Sequence, residues 1–247
     1  MQVLILPNPE AVAQKAADHV QQLLQRKPDA VLALPTGNTP LKMYAEFRNR
    51  QLDWRRATTF NLDEYVGIPM GHPGSYHTYM RENFLQHVNL PHTSCHVPDG
   101  QAQDLDKACQ DYEDAIHDKG GLDLAILGIG QDGHLAFNEP PSSIYCRTRV
   151  VRLAPSTRQV NSAVFGALPP ERAVTMGIGT LLQARCMMLL ATGESKAAIL
   201  KQAVEGPLTA FVPASALQLH PQPIILADEA AAGALELQQY YREAYGP

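Results

Sequence analysis

Short apolar runs alternate with amphipathic stretches almost from end to end of this chain, and few architectures accept that pattern. The runs fall at residues 3–6, 30–34, 58–62, 122–127, 149–153, 173–176, 187–191 and 224–227. Each has the length of a strand that crosses a domain once. Between them, residues 9–26, 40–50, 104–119, 156–165, 196–204 and 229–241 carry helical spacing. In the first of these, Val12, Ala16, Val20, Leu23 and Leu24 fall mostly on one face. Ser75 is placed to cap a further helix that includes Tyr79, Phe84 and Leu85. Strands separated by helices predict an α/β fold: one open, mostly parallel sheet with helices on both faces, a three-layer sandwich with right-handed crossovers. No internal repeat, low-complexity tract or linker interrupts the pattern, so residues 1–247 read as a single domain.

Composition narrows the function classes. A formal charge of −5 and the lack of a Lys/Arg cluster argue against a nucleic-acid surface, so a bound anion would need a local site. Cys95, Cys109, Cys146 and Cys186 show no metal-ligand spacing and read as reduced thiols of a cytoplasmic protein, with no metal centre. There is no basic-then-apolar leader, and no apolar run approaches membrane-spanning length.

The chemistry is concentrated in residues 122–143, LDLAILGIGQDGHLAFNEPPSS. A buried strand runs into Gly128 and Gly130, which permit a tight turn. Within ten residues of that turn come Asp132, Gly133, His134, Asn138 and Glu139. Open α/β sheets present their chemistry at the carboxyl ends of strands. One imidazole with two carboxylates in reach is an arrangement for fixing a tautomer and moving protons.

Three other loops follow predicted strands and would share that edge. Thr36, Gly37, Asn38 and Thr39 open a helix with two hydroxyls and free backbone N–H groups, an anion cradle without the Lys of a nucleotide-binding P-loop. Asp63 and Glu64 are adjacent acids at a strand end, unfavourable unless one is paired or has a raised pKa, which a general base can use. Lys196 and Arg158 each sit early in a helix, against the local dipole, and with the Thr36 loop suggest one phosphate pocket.

Seven segments resemble, in order, those of the glucosamine-6-phosphate deaminases, within the superfamily that includes the 6-phosphogluconolactonases. They are LPTGNTPLKMY, FNLDEYVGIPMGHPGSYHTYMRENF, LGIGQDGHLAFNEPPSS, STRQVNS, MGIGTLL, TGESKAAIL and ASALQLH. The resemblance implies a Rossmann-like fold and deamination of glucosamine 6-phosphate to fructose 6-phosphate and ammonia without a cofactor. It implies that Asp63 moves a proton from C2 to C1, and that His134 opens the ring with Asp132 and Glu139 orienting it. Thr36–Thr39, Arg158 and Lys196 would hold the phosphate, and Glu64, Gly128, Gly130, Gly133 and Asn138 would line the pocket.

The lactonase branch tends to carry DER where this chain has Asp63-Glu64-Tyr65, and lacks NEP after DGH. Val151 stands where the effector-regulated members carry a basic residue, and residues 206–213 resemble the shorter members. Both features predict an enzyme without activation by N-acetylglucosamine 6-phosphate, as a monomer or small homo-oligomer. A galactosamine-6-phosphate deaminase and a lactonase are the rival enzyme readings. A non-catalytic sugar-phosphate sensor is the rival from another class; it would carry a DNA-binding helix pair, whereas this chain opens on its first strand.

Overall fold

The computed structural model describes residues 1–160 and 162–246. Asn161, in the STRQVNS segment, lies outside the described residues, as does Pro247. The strands in chain order are β1 (Gln2–Leu6), β2 (Val31–Leu34), β3 (Thr58–Asn61), β4 (Asp63–Tyr65), β5 (Cys95–His96), β6 (Leu124–Gly128), β7 (Arg149–Arg152), β8 (Arg172–Thr175), β9 (Met187–Ala191) and β10 (Pro223–Asp228). Seven of them form a sheet in the order β1-β10-β9-β6-β2-β3-β5, with every neighbouring pair parallel.

Side-chain alternation divides the core in two. Leu32, Leu34, Ile126, Met188 and Leu190 pack on one face with the helices Pro9–Arg26, Thr39–Asn49 and Tyr76–Asn83. Val31, Ala33, Ala125, Leu127 and Leu189 pack on the other, with Leu105–Asp118 and Ala197–Val204. A parallel sheet covered on both faces needs such continuous apolar strands. The helix starts are capped as their sequences allow: Asn8 accepts from Ala11 N at 2.9 Å, and Asp104 from Lys107 N at 2.9 Å.

The strand order locates the crevice. From β2 the chain advances to β3 and β5, then returns to β6 on the other side of β2 and advances through β9 to β10. The loops leaving β2 and β6 therefore part company, and a groove opens between them at the carboxyl edge.

Two expectations need correction. Residues 149–153 and 173–176 are strands, but β7 and β8 join β4 in a separate three-stranded antiparallel sheet. This sheet hangs from the end of β3, where Leu62 O accepts from Met176 N at 2.7 Å. The helix expected at 229–241 is two, Glu229–Ala232 and Gln238–Tyr245. The Glu205 carboxylate accepts from Glu236 N and Leu237 N at 2.8 and 2.9 Å, drawing off backbone groups that a continuous helix would use itself.

Candidate active site

Beyond β6 the chain closes a tight loop. Gly130 N donates to His134 O at 3.0 Å and Gly133 N to Gly130 O at 3.1 Å, with Gly133 at φ +84°. The His134 ring lies directly on Gly130: a Cβ there would fall 2.2–2.4 Å from three ring atoms. Gly130 is thus a seat for the imidazole as well as a turn residue. Gly128 has no close neighbour of this kind. Asp132 Oδ1 stands 2.6 Å from His134 Nδ1 and accepts from His134 N at 3.2 Å. The ring contact is close without the direction of a hydrogen bond, so it acts as an ion pair when the ring is protonated. Burial pushes the Asp132 carboxyl up, but its hydrogen bonding and charge interaction with His134 outweigh this, leaving it below its ordinary value.

Asp63 lives under opposite conditions. It is the first residue of β4 and 5% exposed. Among the described residues nothing donates a hydrogen bond to its carboxylate. Burial, then the neighbouring Glu64 charge, holds its carboxyl well above the ordinary range. Glu64 projects the other way, as alternate residues of a strand must. Its carboxylate accepts from Ser75 Oγ at 2.7 Å, Tyr65 N at 2.7 Å, Tyr76 N at 2.9 Å and His77 N at 3.2 Å, and sits 3.0 Å from His77 Nδ1. Glu64 anchors the start of the helix Tyr76–Asn83, where a negative charge meets free N–H groups. Expected in the substrate pocket, it is instead fully engaged in holding that helix.

The end of β8 ties the strand of Asp63 to the loop that follows His134. Asp63 pairs across the small sheet with Thr175, and Thr175 Oγ1 accepts from Phe137 N at 3.0 Å. Asn138 Nδ2 donates to Met176 O at 2.8 Å and to Leu135 O at 2.9 Å. Its Oδ1 accepts from Arg149 Nη1 at 2.7 Å, and the residue is fully buried. Asn138 is therefore a staple beneath the loop and not a wall of the pocket. Glu139 also departs from expectation. Its Oε2 accepts from Ala154 N at 2.8 Å, while His134 takes its carboxylate contact from Asp132. The other Glu139 oxygen is buried without a hydrogen-bond partner.

The expected phosphate residues divide. The Thr36–Thr39 loop is open at the edge, with Gly37 at φ +98° and Gly37 O accepting from Tyr79 Oη at 2.6 Å. Asn38 precedes the helix without making a side-chain cap, so its amide is uncommitted. Lys196 ends the turn Glu194–Lys196 before the helix Ala197–Val204, and its ammonium makes no hydrogen bond or ion pair among the described residues. Burial lowers its pKa, opposed by the charge of nearby Asp132. A half-buried, unpaired ammonium beside a helix start is arranged for an anion. Arg158 is held elsewhere: Nε donates to Pro169 O at 2.9 Å and Nη1 lies 3.5 Å from Glu171.

Sequence reasoning missed Tyr76. Its ring stacks on Phe137 at 6.1 Å and lies 5.2 Å from the Tyr65 ring, and its hydroxyl faces Thr36, Tyr65 and Asp63. The available signal was its place directly after the Ser75 cap, where a helix start meets the acid-bearing strand. Two cavities, of about 330 and 390 Å³, lie off this cluster, the larger behind the loop beside Glu139, Ser142 and Arg149.

Residues 7–225 match the family described as glucosamine-6-phosphate isomerases/6-phosphogluconolactonase. A glucosamine-6-phosphate deaminase from Pseudarthrobacter chlorophenolicus is 47% identical over 250 residues, covering 99% of this chain and 96% of that one. A solved structure of a monomeric glucosamine-6-phosphate deaminase superposes with a TM-score of 0.92 at 39% identity, over 95% of this chain and all of the other. The 6-phosphogluconolactonase from Trypanosoma cruzi superposes with a TM-score of 0.78 at 20% identity, over 95% and 97% of the two chains, a likeness of fold alone. With its fold and nearly its whole length in common with these proteins, the chain belongs to the glucosamine-6-phosphate isomerase/6-phosphogluconolactonase family.

Proposed function

We propose that the protein converts glucosamine 6-phosphate and water to fructose 6-phosphate and ammonia. The observation that carries this reading is that the end of β8, through Thr175 and Phe137, joins the strand of a buried carboxylate that receives no hydrogen bond among the described residues (Asp63) to the loop of an imidazole–carboxylate couple (His134 and Asp132). His134 takes the anomeric hydroxyl proton and returns a proton to the ring oxygen, opening the sugar to its aldehyde. The aldehyde acidifies the C2 hydrogen, which Asp63 removes while O1 takes a proton from His134 or solvent, giving an enolamine that Asp63 then protonates at C1. The C2 amine then becomes an imine, water adds at C2, and ammonia leaves. Every step is a proton transfer, an addition or an elimination, with no net redox change, so the proposed reaction needs no cofactor. A carboxyl raised toward the working pH is better matched to carbon deprotonation than one in the ordinary range.

Lys196 and the Thr36–Thr39 loop bind the phosphate, with Arg158 recruited only if it releases Pro169 and Glu171. Tyr65 favours the deaminase over the lactonase branch. It is buried against the rings of Tyr76, Phe137 and Phe165, an aromatic packing that an arginine would not reproduce. The protein acts as one domain, as a monomer in the cytoplasm, and prefers the gluco over the galacto epimer. Ammonia release measured on glucosamine 6-phosphate, galactosamine 6-phosphate and unphosphorylated glucosamine tests this. Turnover of the first and none of the last is the expected outcome; equal turnover of the phosphorylated and free sugars contradicts it.

A further inference from the structure

We infer that Asp228 is a positioning residue for the phosphate: it acts through the Gly193–Lys196 segment without touching the ligand. The inference rests on the reading of Lys196 as a phosphate ligand. Asp228 ends β10, which lies between β1 and β9, and it is 3% exposed. In the β9–β10 register Ala227 stands opposite Ala191, so Asp228 meets the chain just as it leaves β9. Both carboxylate oxygens lie 3.0 Å from Gly193 N, and Oδ1 also accepts from Ala231 N at 2.7 Å.

Capping the short helix Glu229–Ala232 occupies only Oδ1. Oδ2 has one partner, Gly193 N, on a different segment. Gly193 is itself held at φ +88°, ψ 151°, a conformation that other residues adopt only with strain. Three residues later comes Lys196, whose N donates to Gly193 O at 3.0 Å and whose ammonium has no bond of its own to fix it. One peptide, clamped by a buried carboxylate, thus sets where the free cation stands.

Asp228→Asn separates the two tasks. The amide keeps an oxygen for Gly193 and Ala231 but turns an N–H₂ toward Gly193 N, where two donors repel. Loss of one hydrogen bond of this kind predicts a KM for glucosamine 6-phosphate raised roughly three- to tenfold, with kcat nearly unchanged. Competitive inhibition by inorganic phosphate should weaken by the same factor. In the Lys196→Ala background the substitution should add little, because the group it positions is gone. Asp228→Ser, which retains a helix cap, should repeat the KM effect without a loss of melting temperature larger than that of Asp228→Asn.

A KM rise in Asp228→Asn that multiplies fully with that of Lys196→Ala overturns the inference. So does a fall in kcat matching the loss of melting temperature, which would mark a purely structural role. If Lys196→Ala raises KM and Asp228→Asn does not, the positioning claim alone fails. If Lys196→Ala leaves KM unchanged, the phosphate reading fails and takes the inference with it.

Discussion

Asp63, on β4, and Asp132, in the loop that leaves β6, are both carboxylates at strand ends, and their surroundings are opposite. Asp63 is nearly inaccessible, receives no hydrogen bond among the described residues and is held well above the ordinary carboxyl range by burial. Asp132 is partly exposed, lies 2.6 Å from an imidazole and falls below that range. The difference matches two kinds of proton. A hydrogen on carbon leaves slowly and needs a strong, dry base placed close to it. Protons on sugar oxygens exchange readily and suit a partly solvated histidine backed by a carboxylate. The fold builds the two environments on different elements, Asp63 on a strand of the small sheet and Asp132 in the loop that leaves β6.

Removing the dry carboxylate should produce the largest effect. Asp63→Asn is expected to lower kcat by about 10²–10⁴-fold, the usual worth of a general base, and to raise stability at the same time. The native carboxyl sits above its unfolded value, so its favourable contribution is complete below the ordinary carboxyl range and is lost as pH rises through the native value. The variant should therefore melt above the parent at neutral and alkaline pH, and the gap should close in acid. A variant less stable than the parent at neutral pH would show that the site is not strained by burial.

On the histidine side, Gly130→Ala tests the seat of the ring. With a methyl within 2.2–2.4 Å of ring atoms, His134 must move. A misplacement of about 1 Å costs on the order of 10²-fold in rate, so kcat should fall by that order while KM changes little. An unaltered kcat would mean that the imidazole works from another position.

Asp132→Asn should do less, about tenfold in kcat at the low end of acid–base contributions, because His134 itself remains. Its stability effect runs opposite to that of Asp63. The native carboxyl lies below its unfolded value, so its contribution is present above the ordinary carboxyl range and disappears as pH falls through the native value. Melting curves of parent and variant should differ at neutral pH and converge in acid. The smallest effect expected is none: N-acetylglucosamine 6-phosphate should leave the kinetics hyperbolic and unchanged. Val151 contributes an apolar side chain beside Phe137 and Leu153, where an effector phosphate would require a cation. Sigmoidal curves that straighten with this sugar would overturn that expectation.

Much of this was readable from the chain because buried parallel strands are largely apolar, and the chemistry follows their ends. β6 with its Gly128–Gly130 turn, the Thr36 loop and the acids at 63 and 64 all stood out on that basis. What escaped were properties that arise between segments. β4 has three residues and β5 two, too few to show a period. The strands at 149 and 173 alternate whether their partners are parallel or antiparallel, so their separate sheet had no signature. Alternation shows that Asp63 and Glu64 face opposite ways, but only the Ser75–His77 helix start decides which one is consumed. Glu139 looked catalytic and Asn138 a pocket wall from their closeness to His134 in sequence, and the turn at Ala136, φ +52°, carries them past it to Ala154 and Met176.

The separation of the two proton-handling regions is tested most directly in D₂O with two variants and two substrates. Asp63→Asn should abolish entry of solvent deuterium at C1 of fructose 6-phosphate. His134→Gln should turn over cyclic glucosamine 6-phosphate far more slowly than the parent, yet act on an analogue blocked at O5, which cannot close its ring, at near the parent rate. Equal losses on the cyclic and blocked substrates in His134→Gln, or undiminished deuterium entry in Asp63→Asn, would contradict the division of labour.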